Sequence, residues 1–241
     1  MINPLLHCRH FLRGTGALIV LSILCLDCKA AEPEVLFAGK GLDEWEFKTG
    51  AWEVESDGSM TCRMQEAKDK KGKTVVRGMG YAWSRKTYGD FELTLSYKLS
   101  EGANSGVFYR TTPKNPVQAG LEIQLMDNVG FQKTHGKKDD RKLNGSFYDA
   151  KAPEQDASRP VGAWNTLNLV CKGPKIELHI NGVRSFAVNA DDWTTPGKNP
   201  DGTANKFKKA IRDFPRSGQI GLQNHGQQVW FKDIKIKELG D

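Results

Sequence analysis

Three short runs carry residue types suited to acid–base and hydrogen-bonding chemistry: ANSGVFYR at 103–110, GLEIQLMDN at 120–128 and GQIGLQNHG at 218–226. Successive side chains of a strand point to opposite faces. Leu121, Ile123 and Leu125 therefore take one face, and Glu122, Gln124 and Met126 the other. The same phasing sets Val107 and Tyr109 against Phe108 and Arg110, and Ile220 and Leu222 against Gln219, Gln223 and His225. If the runs share a sheet, Phe108, Arg110, Glu122, Gln124, Gln223 and His225 converge on one surface. Carboxylate, amide and guanidinium groups hold hydroxyls in pairs, and an aromatic ring covers the apolar face of a pyranose. A histidine titrates near neutrality, so Glu122 and His225 would supply an acid and a base. A plain surface is the competing reading, with Glu122 and Arg110 as a cross-strand ion pair and His225 as a turn residue.

The elements that must position these residues are strands. Short alternating or apolar runs recur at 52–55, 59–62, 75–83, 91–97, 164–171, 175–180, 183–188, 219–223 and 229–236, separated by turn signals. Asp57-Gly58 and Asn181-Gly182 mark two hairpins, since Asn-Gly and Asp-Gly tolerate the positive φ of a type I′ turn. No amphipathic helix of normal length is evident; 205–214 reads as a short helical turn. The expectation is an all-β, two-sheet β-sandwich of jelly-roll type with a concave face. The loops 111–119, 129–144 and 191–205 are long and polar, the kind that builds sites on a rigid scaffold.

The first thirty residues read as an export signal, residues 1–30, ahead of a single domain at 31–241. Arg9 and Arg13 precede the apolar run 17–26, and Cys28-Lys29-Ala30 resembles a cleavage site. The run is too short for a membrane span, which needs roughly 20 residues. The expected location is the periplasm or the exterior; Leu24 and Asp27 do not favour a lipid anchor at Cys25 or Cys28. Of the formal charge of +6, residues 1–30 carry +2 and much of the remaining excess sits in polar loops that also carry acids; no nucleic-acid motif is present. Cys62 and Cys171 remain in the mature chain, either paired or as buried thiols.

Six phrases in order resemble the 3-keto-disaccharide hydrolase family: ANSGVFYR, GLEIQLMDN, GSFYDAKAP (145–153), RPVGAWNTLNLVCKG (159–173), KIELHINGV (175–183) and SGQIGLQNHGQQVWFKDIKIKEL (217–239). LFAGKGLDEWEF (36–47) fits the family's usual start. The resemblance implies a concanavalin A-like sandwich acting on an oxidised glycoside. A ketone at C3 acidifies the C2 proton; a base removes it, the C1 group leaves, and water can then add. Under this reading His225 and Glu122 transfer protons, Arg110 steadies the enolate, and Gln124, Gln223, Phe108, Asn104 and His179 contact the sugar. Asp127 is the candidate ligand for a divalent cation, which oxygen donors would suit. The alternative is a non-catalytic, lectin-like carbohydrate-binding module on the same surface.

Overall fold

The computed structural model describes residues 32–240. The expected export signal and its cysteines lie outside them. The large sheet has eight strands, in the order β13 (Val183–Asn189), β12 (Lys175–Ile180), β11 (Trp164–Lys172), β8 (Phe91–Leu99), β15 (Val229–Glu238), β4 (Met60–Cys62) and β3 (Trp52–Val54), with β1 (Glu34–Phe37) also paired to β15. Five strands make the second sheet: β10 (Leu121–Met126), β9 (Asn104–Thr111), β14 (Gln219–Leu222), β7 (Ala82–Ser84) and β2 (Trp45–Glu46). A separate hairpin joins β5 (Met64–Lys68) to β6 (Thr74–Gly78). Two antiparallel sheets enclosing one core make the expected sandwich.

The two sheets differ in how they are covered. In β8, Phe91, Leu93, Leu95, Tyr97 and Leu99 are buried and the residues between them half-exposed, the pattern of a sheet with one wet face. All six residues of β10 are buried, although Leu, Ile and Leu alternate there with Glu, Gln and Met. The polar face of the small sheet is therefore covered as well. Part of the cover is backbone. Residues 145–148 run beside β10, with Gly145 N donating to Gln124 O, Gln124 N to Ser146 O and Tyr148 N to Glu122 O.

Phe147 anchors this cover. Its ring sits 5.9 to 6.4 Å from Tyr109, Phe186, Trp193 and Phe207. Phe147 and Phe207 are core residues from two different loops. Their sequence neighbours Tyr148 and Lys206 are thereby turned toward the outer face of the small sheet.

Several local expectations change. The run 75–83 divides at 79–81: Thr74–Gly78 pairs within the hairpin and Ala82–Ser84 enters the small sheet. The 129–144 loop holds α2 (Asn128–His135), which follows α1 (Pro116–Ala119). Asp127 caps α2 by accepting Gly130 N. Asn181 and Gly182 both take positive φ, at 52° and 78°, as a type I′ turn requires. At the other hairpin only Gly58 does, at 77°. The Asp57 carboxylate accepts Ser59 N, and Glu55 N donates to Ser59 O across a wider turn. The 205–214 segment holds one 3₁₀ turn, Ile211–Asp213. Among the described residues no helix is long and apolar enough to cross a membrane.

Cys62 and Cys171 are buried and unpaired. Burial pushes the Cys171 thiol up to about 12 and the Cys62 thiol up as well. Since the thiolate is the reacting form, neither is expected to react with a disulfide reagent at pH 8 in the folded protein. Both become titratable in guanidinium. Rapid native labelling would contradict this burial.

Candidate active site

The runs singled out by their chemistry are neighbours in one sheet. Glu122 lies opposite Phe108 and Gln124 opposite Gly106 across β10 and β9, and Gly221 lies opposite Phe108 across β14 and β9. Alternation sends Asn104, Phe108, Glu122 and Gln124 to the face away from the core. Gln124 Nε2 donates to Asn104 Oδ1 at 2.6 Å, and Gln223 Nε2 to Glu122 Oε1 at 3.0 Å. His225 is exposed on the turn after β14. It lies near enough that its charge favours ionised Glu122.

Two glycines make room for this face. A Cβ on Gly106 would sit 2.7 Å from Glu122 Oε1, and one on Gly221 would sit 2.3 Å from the Trp83 ring. Trp83 stacks on Phe108 with ring centres 5.8 Å apart, and Tyr81 lies 5.8 Å from the same ring. Phe108 is fully buried beneath them. This corrects its expected role as a sugar contact. It is the floor under Trp83 and Tyr81, which a ligand would meet first.

Glu122 has a partner that sequence reading passed over. Lys206 Nζ lies 3.2 Å from Glu122 Oε2, with side-chain exposures of 12% and 5%. The same ammonium stands 4.4 Å from the Tyr148 ring centre and 5.2 Å from that of Phe207. Burial disfavours either charge. It raises the Glu122 carboxyl above its ordinary value, against the pull of Lys206, Gln223 and His225. It lowers the Lys206 amine, against the pull of Glu122. Burial thus moves the two proton affinities toward each other. Lys142, 3.1 Å from Asp149, and Lys138 add positive charge around it. Lys206 lies in KFKK, which reads as a solvated run. The usable signal was Phe207, an isolated aromatic that fixes the phase of its neighbour. Tyr148 was legible in the same way beside Phe147.

Three expected site residues lie elsewhere. Arg110 has a φ of 49°, and the pairing of β9 with β14 slips between Gln219 and Gly221. This bulge breaks the alternation after Tyr109, which still faces the core. The Arg110 guanidinium is fully buried, donating to Gly89 O, Gly173 O and Asp90 Oδ1 at 2.7 to 2.9 Å. It ties the two sheets and does not reach Glu122. His179 sits in β12 of the large sheet, half-exposed beside Glu177. Asp127 uses both carboxylate oxygens on backbone amides, those of Gly130 and Gly102. It caps a helix, and its carboxylate is held in place by these two backbone amides. Among the described residues no three His, Cys, Asp or Glu side chains gather around a point.

The model of the 3-keto-alpha-glucoside-1,2-lyase-like domain matches residues 32–237. The chain belongs to this family. It is similar to the 3-keto-disaccharide hydrolase of Bacteroides thetaiotaomicron, 28% identical over 170 residues, which are 62% of this chain and 59% of that protein. The match thus spans less than two thirds of that relative's length. A provisionally named glycosyl hydrolase from Parabacteroides distasonis superposes with a TM-score of 0.74 at 29% identity, covering 87% of this chain and 100% of the other. A second from the same organism gives 0.69 at 26%, covering 86% and 94%. The laminarinase catalytic domain of Thermotoga maritima shares the fold at 11% identity, with a TM-score of 0.52, covering 88% and 99%.

In this 3-keto-alpha-glucoside-1,2-lyase-like domain, Arg110→Met would leave Asp90 and two carbonyls without their cation. Breaking a buried pair from one side costs about 3 kcal/mol. Urea unfolding should show that loss, with KM unchanged in whatever fraction folds. A stable variant with a collapsed kcat would instead return Arg110 to the site.

Proposed function

We propose that the outer face of the small sheet cleaves glycosides that carry a ketone at C3. The observation that supports this most is the buried Glu122 carboxylate held 3.2 Å from the Lys206 amine. The reaction needs a base for the C2 proton and a cation where charge gathers on the C3 oxygen. In this reading Glu122 is the base. Its raised affinity for a proton, caused by burial, makes it a stronger base than an exposed carboxylate. Lys206 takes the electrostatic part first expected of Arg110. Asn104 and Gln223 supply amides for hydroxyls, with the buried Gln124 orienting Asn104 from behind, and Tyr81 with Trp83 covers an apolar sugar face. His225, at the open side, protonates the leaving group. Elimination at C1 then precedes any hydration. The name of the Bacteroides relative fits this substrate class.

Release of the aglycone from a chromogenic 3-keto-glucoside is the test. The wild type is expected to release it, and Glu122→Gln to slow release by roughly 10²- to 10⁴-fold, the usual worth of a general base. Because only the carboxylate form acts as base, kcat/KM should rise with pH, along a limb above the ordinary carboxylate range. Sugar binding without release by the wild type would favour the lectin-like reading. Full activity in Glu122→Gln would remove Glu122 from the chemistry.

A further inference from the structure

Lysine differs from arginine in one respect that matters beside a ketone. Its neutral amine is a nucleophile. Lys206 is enclosed by Glu122, Tyr148 and Phe207, and its hydrogen bond among the described residues goes to Glu122. C2 and C3 of a sugar are bonded neighbours. A base acting on C2 and an amine acting on C3 must therefore stand within a few ångströms of each other. Glu122 Oε2 and Lys206 Nζ do so, at 3.2 Å. The enclosure also favours the neutral amine, since burial disfavours an ammonium.

We propose that Lys206 condenses with the C3 ketone, so that the C2 proton is removed from a covalent iminium; this rests on the substrate class proposed above. Lys206 first gives a proton to Glu122. The neutral amine then adds to C3, and one nitrogen proton passes to the C3 oxygen, giving a neutral carbinolamine. Glu122 returns its proton to that hydroxyl, which leaves as water as the C=N⁺ bond forms. Glu122 is now a carboxylate again and takes the C2 proton. The C2–H electron pair becomes the C2=C3 bond of an enamine. The nitrogen lone pair re-forms C=N⁺, the double bond moves to C1=C2, and the C1–O bond breaks. The departing oxygen takes a proton from His225, which the C2 proton held by Glu122 then replaces, so Glu122 ends as a carboxylate. Water hydrolyses the conjugated iminium and frees Lys206, so the water lost on condensation is recovered and the net reaction is elimination. The lowered proton affinity of Lys206 and the neighbouring Lys142 charge agree with an amine that spends time neutral.

The experiment is reductive trapping. The full chain is incubated with methyl 3-keto-α-glucoside and cyanoborohydride, which reduces iminium ions in preference to ketones, and then mapped by peptide mass spectrometry. Expected are one sugar adduct per chain, located on Lys206, and no such adduct in Lys206→Arg. Aglycone release by Lys206→Arg should fall on the order of a hundredfold or more, although the cation remains. Glu122→Gln distinguishes condensation from proton removal, because any adduct it forms stops before elimination. Wild-type turnover without a Lys206 adduct would overturn the iminium and leave the proposed reaction standing. So would near-normal turnover by Lys206→Arg. Neither turnover nor adduct in the wild type would overturn both. Should Lys206→Arg fail to fold, the wild-type adduct map decides alone.

Discussion

A carboxylate and an amine buried together are the constraint on which the rest of this molecule turns. Neither Glu122 nor Lys206 tolerates its charge there alone, and each makes the other's burial bearable. Such a pair is poor evidence for stability, because an apolar pair of similar volume would serve the fold as well. It is better evidence for chemistry, since burial brings the two proton affinities together where a substrate can use the difference. The surrounding structure reads as the means of holding that pair on an otherwise ordinary strand. Gly106 leaves space for the carboxylate, Gln223 accounts for its second oxygen, and the 145–148 backbone closes the edge of β10.

Two loops of irregular backbone deliver half of this site, and aromatic core anchors set their direction. Phe147 and Phe207 face one another across the core side, so Tyr148 and Lys206 come out side by side on the other. Loops on a rigid scaffold are where binding residues tend to sit. Here the scaffold extends into the loops themselves. That explains how a side chain as flexible as lysine is held within hydrogen-bonding distance of a strand residue 84 positions away in sequence.

The sandwich and its phasing were legible because period-two alternation is strong in β8, β10 and β14, and because Asn181-Gly182 dictates a hairpin. The grouping of Glu122, Gln124 and Gln223 followed from that phasing, while Asn104 entered only with the family resemblance. Arg110 escaped because a one-residue bulge reverses every side chain beyond it, and a bulge needs neither glycine nor proline to announce it. His179 escaped because phase assigns a face but not a sheet. Asp127 has oxygens suited to a cation, but its role as a helix cap depends on the Gly102 and Gly130 amides, backbone groups that no motif displays. Lys206 escaped for the opposite reason: a lysine among lysines looks solvated, and only the tertiary placement of Phe207 buries it.

The central claim is that sugar binds on the Glu122 face of the small sheet, with C2 at the carboxylate and C3 at the amine. A crystal structure with 1,5-anhydro-3-keto-glucitol, which has no group to lose at C1, tests it most directly. The ring is expected against Tyr81 and Trp83, with C2 within about 3.5 Å of Glu122 and C3 as close to Lys206 Nζ. A sugar seated instead on the outer face of the large sheet, beside Trp164 and Trp230, would contradict it.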